Sequence, residues 1–399
     1  MLRLVTLTAL GAAVALTAAT PATASPGPRA ADGALGANYN QNLDSVDYHE
    51  LRAAHAGWIR GFFALPWADE ADPANHFAIR TVQDAHRRGY GTALSLKFPF
   101  ADRALPAAGS PELAAELARL DKVLPLLVGT VDILAIGNEP FIESRPAERD
   151  ERLNVFYEAV ADHVIAYRRE HCGERCPTRL YMGALNRLDL PDRLTPAAER
   201  WMTFVRETPE LEGVDIHPHV PSVQAVQPFL DYVLPRLRPD QKFLVTEFSL
   251  VWLWKAHLGD TIPVDFAQRY GYAPDTKVWE VIRAATENPF SQRKWNDFLA
   301  ASPWYEANKD FLREQVQRFR DTGRLAFASY GFRQDALMVR DFQVTSSPWL
   351  LNSVFAPYTV QPDADGLTGQ GYSWLDDFRA LQRGHGHGHG DRPAAAVAR

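Results

Sequence analysis

The stretch Val131-Asp132-Ile133-Leu134-Ala135-Ile136-Gly137-Asn138-Glu139-Pro140 decides how the rest of the chain is read. A short, nearly unbroken apolar run is what a strand covered on both faces needs, and such strands belong to parallel sheets. Gly137 ends the run, and Asn138 and Glu139 stand at its C-terminal end. A polar pair there is exposed to whatever the sheet presents at that edge.

The same pattern recurs along the chain. Apolar runs closing in polar or Gly residues fall at 35–39, 58–63, 91–98, 131–138, 180–186, 214–219, 243–248 and 325–332. Between them lie amphipathic stretches at 46–56, 76–88, 111–128, 149–171, 196–205, 223–237 and 307–320. Ser110-Pro111 and Thr195-Pro196 each combine an N-cap with a first-turn proline. Arg88-Gly89 and Thr322-Gly323 are stop signals. Eight strands separated by helices predict an α/β fold with a parallel sheet closed as a (β/α)8 TIM barrel. The alternative is an open doubly wound sheet. Its dinucleotide-binding form needs a Gly-rich turn after the first strand, and Gly36-Ala37-Asn38-Tyr39-Asn40 does not provide one. The connection after the seventh run is too long for a plain loop. It is read as a helical insertion at about 252–300 with helical pieces at 277–285 and 293–300.

An apolar share of 46% and a charged share of 23% over 399 residues exclude a disordered or fibrous chain. A net charge of -7 gives no basic field for nucleic acid. Arg3, the apolar run that follows and the small-x-small pattern Ala22-Thr23-Ala24 read as a secretory signal peptide over 1–24. The expectation is a secreted monomer without a membrane anchor. Residues 25–33 read as a linker, 34–383 as the barrel domain, and 384–399, with its alternating Gly and His, as a flexible tail. In an exported protein, Cys172 and Cys176 are expected to form a local disulfide at the end of a helix.

Barrel chemistry sits at the C-terminal ends of the strands. The fourth run ends at Glu139, the seventh at Thr246-Glu247 and the sixth at His217-Pro218-His219; Arg60 lies in the second. Two carboxyl groups meeting across one mouth suit glycoside hydrolysis, in which one donates a proton and the other attacks. Gly137-Asn138-Glu139-Pro140, Thr246-Glu247 and His217 resemble the clan of (β/α)8 retaining glycosidases that includes cellulase-, mannanase- and xylosidase-type barrels. The resemblance covers about 35–332. It implies Glu139 as acid/base, Glu247 as nucleophile and Asn138 as a contact to the sugar 2-hydroxyl. It also implies Arg60 as the cation keeping the nucleophile ionised, and His217 as part of the site network. No cofactor is expected, and the partner is a carbohydrate substrate.

Two positions depart from the clan. His219 stands where many members have Tyr, and Tyr330-Gly331-Phe332 stands where many have Trp. Trp252 and Trp254 are candidate sugar platforms, with a core role open for each. Two alternatives remain at this point: a metal-dependent hydrolase using His217 and His219, and a catalytically inert carbohydrate-binding barrel.

Overall fold

A computed structural model describes residues 32–383. The signal peptide, the tail and all of the linker but Asp32 and Gly33 lie outside the described residues. Eight parallel strands close a barrel in sequence order: β1 Ala34–Asn38, β2 Trp58–Ala64, β3 Gly91–Lys97, β4 Ile133–Ile136, β5 Arg179–Asn186, β6 Leu211–His217, β7 Lys242–Val245 and β8 Leu325–Gly331. β1 pairs with β8 from Ala34 against Phe327 to Asn38 against Gly331, which completes the closure. The fold is the expected (β/α)8 barrel.

Alternation along β2 shows how the interior is built. Trp58 packs low in the barrel in a small cluster with Ala93, Ile133, Tyr181, Leu244 and Phe327. Two residues up the same strand, Arg60 points to the same side. The main core lies between the strands and the surrounding helices.

The predicted helix signals act as expected. Ser110 Oγ accepts from Leu113 N, and Thr195 Oγ1 from Ala198 N, so both caps satisfy a first-turn amide. Gly89 and Gly323 take φ of +80° and +66°, the left-handed conformation that ends a helix. Cys172 and Cys176 are joined at the end of the helix Glu151–His171.

Three expectations need correction. The stretch 223–237 is a short helix, Gln227–Val233, between 3-10 turns, because Pro228 and Pro235 remove donors from the ladder. The insertion after β7 holds Val278–Glu287 and Gln292–Ala301 as expected, and also Val251–Ala256 and Val264–Tyr270. A further helix, Trp374–Arg383, follows β8 after a long segment and packs on β1 and on Phe311–Asp321. Among the described residues no helix is long and apolar enough to cross a membrane.

Candidate active site

Gly137 sets the geometry at the end of β4. Its φ is +96°, and an added Cβ would lie 2.9 Å from Pro140 and from Tyr157. Gly183 of β5 approaches so closely that its Cβ would lie 2.4 Å from the Gly137 carbonyl oxygen. These close approaches let the chain turn sharply and present Glu139 at the mouth, before Pro140 opens a one-turn helix.

Glu139 Oε1 accepts from Asn186 Nδ2 at 2.6 Å and lies 3.0 Å from His217 Nδ1. Glu247, at the end of β7, accepts from Arg60 Nη1 at 2.6 Å through Oε1, and its Oε2 lies 3.5 Å from His219 Nε2. Single donor atoms of Glu139, His217, His219 and Glu247 all lie within 4.8 Å of one another. Side chains from β4, β6 and β7 thus converge on one point, with the two carboxylates 20% and 12% exposed.

Arg60 is fully buried and ties the barrel interior together. Nη1 donates to Asn38, Asn40 and Glu247, and Nη2 donates to Ser95 and Asn138. It contacts the Glu247 carboxylate and does not line the cleft. Replacing Arg60 with Met removes the hydrogen-bonded cation from the Glu247 carboxylate and strands the buried acceptors of Asn38 and Asn138. We expect a stability loss of roughly 3–5 kcal/mol, measured by urea unfolding.

The proton inventory follows from the hydrogen bonds. Thr246 has one hydroxyl hydrogen, and it goes to Asp215 Oδ2, an acceptor only. Thr246 Oγ1 must therefore accept from His217 Nε2, 2.8 Å away. His217 Nδ1 is left facing Glu139, and one proton lies on that link. Burial alone would lower the His217 pKa, but the charges of Glu247 and Asp215 push it up to about 10. Burial would raise the Glu139 carboxyl, and the hydrogen bond and charge of His217 bring it below its ordinary value. Burial acts the same way on Glu247, and the charges of His217 and Arg60 overcome it and hold that carboxyl well below the usual range. In the free site the shared proton rests on His217.

This has a consequence for stability. The folded pKa of His217 lies above its unfolded value, so its contribution is complete below about pH 6.5 and is lost as pH rises through about 10. Wild type should lose stability over that interval in chemical denaturation, and His217→Asn should lack that part of the slope.

The cleft at the barrel mouth has a volume of about 450 Å³. Trp252, one of the two candidate platforms, lines it, and so does Trp349, with ring centroids 6.2 Å apart. Trp349 also meets the His219 ring edge-on at 4.8 Å. Leu337 and Met338 supply an apolar lip.

Besides Arg60, three candidates do not line the cleft: Trp254, Tyr330 and Asn138. Trp254 is fully buried, stacks on Tyr305 at 4.7 Å and donates to Asn352 Oδ1, so it is a core residue. Tyr330 is also fully buried, against Phe248 and Trp374, because it points outward from β8 toward the helices. Asn138 lies just below the cleft, 2% exposed, its amide bridging Arg60 and Glu143.

Sequence reasoning missed Asn186 and Arg187, at the end of β5, and Trp349. Asn186 was available to the same strand-end rule that singled out Glu139. Trp349 comes from a long segment without periodicity, and no local pattern marks it.

No protein-family model matches the chain, and no curated protein matches it. Among solved structures it is similar to the GH53 catalytic domain of Ignisphaera aggregans, at 15% identity over 90% of this chain and 98% of that one, with a TM-score of 0.44. It is similar to a glucosidase from Croceicoccus marinus at 13% identity, over 90% of this chain and 68% of the other, with a TM-score of 0.48. For xylanase 10B of Thermotoga maritima the identity is 11%, the coverage 89% and 96%, and the TM-score 0.45. At such identities each is a likeness of fold.

Proposed function

We propose that this chain is a secreted glycoside hydrolase that cleaves an O-glycosidic bond of an oligo- or polysaccharide with retention, by double displacement. One observation carries the reading: across the barrel mouth, one oxygen of Glu139 lies within 4.8 Å of one oxygen of Glu247, and the two carboxylates accept from different donors, Asn186 and Arg60. That spacing leaves no room for a water between attacker and sugar, which is the arrangement of retaining enzymes.

Glu247, held ionised by Arg60, attacks the anomeric carbon. The proton on the His217–Glu139 link passes to Glu139 Oε1 and then to the departing oxygen. Once Glu247 is esterified its negative charge is gone, and His217 loses its strongest electrostatic support. Glu139, now without its proton, takes one from the incoming water. Trp252 and Trp349 offer ring faces to the sugar.

Proton NMR of the first-formed sugar tests this reading: its anomeric configuration should match that of the substrate, and inversion would refute the double displacement. The metal-hydrolase alternative has a donor set in the same four residues, among the described residues. Yet Glu247 already accepts from a buried guanidinium, and both ring nitrogens of His217 are engaged, with Glu139 and Thr246. We therefore expect turnover to survive dialysis against EDTA, and loss restored by zinc would favour that alternative.

A further inference from the structure

Beside the catalytic cleft lies a second cavity, of about 430 Å³. It shares Ile142, Asn186 and Arg187 with the cleft, so the two lie side by side with these residues as their common wall. Asn186 is the residue that holds Glu139, and Glu247 does not line this cavity. The cavity therefore opens on the proton-donor side of the bond to be broken. A leaving group departs past its proton donor, so whatever fills this cavity belongs to the leaving group.

Its chemistry is that of an anion site in an acidic protein. Arg149, Arg187 and Arg193 line it. Arg187 is neutralised by Asp189, which it meets through two nitrogens at 3.1 Å each. Arg149 and Arg193 are not matched in this way. Among the described residues Arg149 donates only to the carbonyls of Ser144 and Ile142, with no carboxylate on its guanidinium. Arg193 has Asp192, an acid that also lines the cavity, 3.7 Å from its Nε: an ion pair too long for a hydrogen bond, so the buried Nε has no hydrogen-bond partner. A buried guanidinium nitrogen left unpaired is costly, and an incoming oxyanion would remove that cost. Arg149 and Arg193 line the same cavity, and burial and the like charge of Arg193 hold the Arg149 pKa below its ordinary value. Phe141, Leu185 and Leu188 add apolar wall suited to a sugar ring.

We infer that this cavity is a leaving-group subsite for a sugar bearing an oxyanion, with Arg149 and Arg193 binding a uronic acid carboxylate or a sulfate ester. The inference rests on the glycosidase reading and names the substrate class of that site: acidic glycans cut so that the charged residue leaves. Guanidinium geometry suits either group, each presenting paired oxygens.

The test uses oligosaccharides in matched neutral, uronate-bearing and sulfated forms, together with aryl glycosides that do not fill the cavity. Wild type should prefer one acidic form over the neutral one by about tenfold or more in kcat/KM. The form preferred identifies the carboxylate or the sulfate. Arg149→Gln with Arg193→Gln should cost the acidic substrate about 10- to 100-fold more than the aryl glycoside. Because Arg149 also braces two loop carbonyls, Arg193→Gln alone serves as a second variant and should show the same direction. The preference should fade with added salt. Cleavage of neutral and acidic forms at equal rates, or equal losses on every substrate in both variants, would overturn the inference and leave the glycosidase reading intact. If no glycoside is cleaved, the glycosidase reading falls and calorimetry with glucuronic acid and glucose 6-sulfate reads the cavity directly. Binding weakened in Arg193→Gln would then uphold the anion site, and no binding would end it.

Discussion

Glu247→Ala is expected to reduce kcat by about 10⁴-fold or more on every glycoside, whatever its leaving group. The reason is positional. Oε1 of Glu247 is fixed at 2.6 Å from a buried guanidinium, and no rearrangement of Glu139 can replace it, because that carboxylate is bound by Asn186 and His217. A dinitrophenyl glycoside gives the cleanest measurement, since it needs no proton donor. Because truncation also strands Arg60, Glu247→Gln serves as the companion variant. It keeps an acceptor for the guanidinium, so a folded and inactive Glu247→Gln assigns the loss to chemistry. Azide should restore some turnover to Glu247→Ala with inverted product, one displacement having been removed. Retained product under azide, or full activity in either variant, would refute the assignment.

Glu139→Ala should separate substrates by their leaving groups. On a natural linkage, whose departing alkoxide needs a proton, we expect a loss of about 10²- to 10⁴-fold. On a dinitrophenyl glycoside the first step should change little. The glycosyl-enzyme should then accumulate, because the second step lacks its base, and a burst of dinitrophenol should precede slow turnover. A uniform loss across both substrates would instead indicate a merely structural role. Glu139→Gln provides the check on folding, since it retains the contacts to Asn186 and His217.

Much of this was legible in the sequence, for a physical reason. Parallel strands buried on both faces read as nearly continuous apolar runs, so Ile133–Ile136 and Lys242–Val245 announced themselves, together with the Glu that follows each. Caps such as Ser110 and Thr195 are local chemistry and can be read without tertiary knowledge. Tyr330 and Trp254 could not be placed, since a residue at or past a strand end faces the mouth or the helices according to barrel stagger. The segment from Phe332 to Ser373 defeated reading altogether: it has little periodicity, yet it brings Asp335, Leu337 and Trp349 to the cleft. The incompletely matched cations of the second cavity were illegible for another reason. Three arginines in sequence say nothing until the acids that could neutralise them are located.

The hub at Arg60 also bears on how this molecule assembles. During synthesis its guanidinium emerges 187 residues before the carboxylate that neutralises it. A half-barrel ending near the middle of the chain would bury that cation with only neutral acceptors such as Asn38, Ser95 and Asn138. Partial folds are thereby penalised, and the two ends of the polypeptide are driven to consolidate together. The same ion pair that holds Glu247 ionised thus discourages stable fragments on the way to the finished barrel.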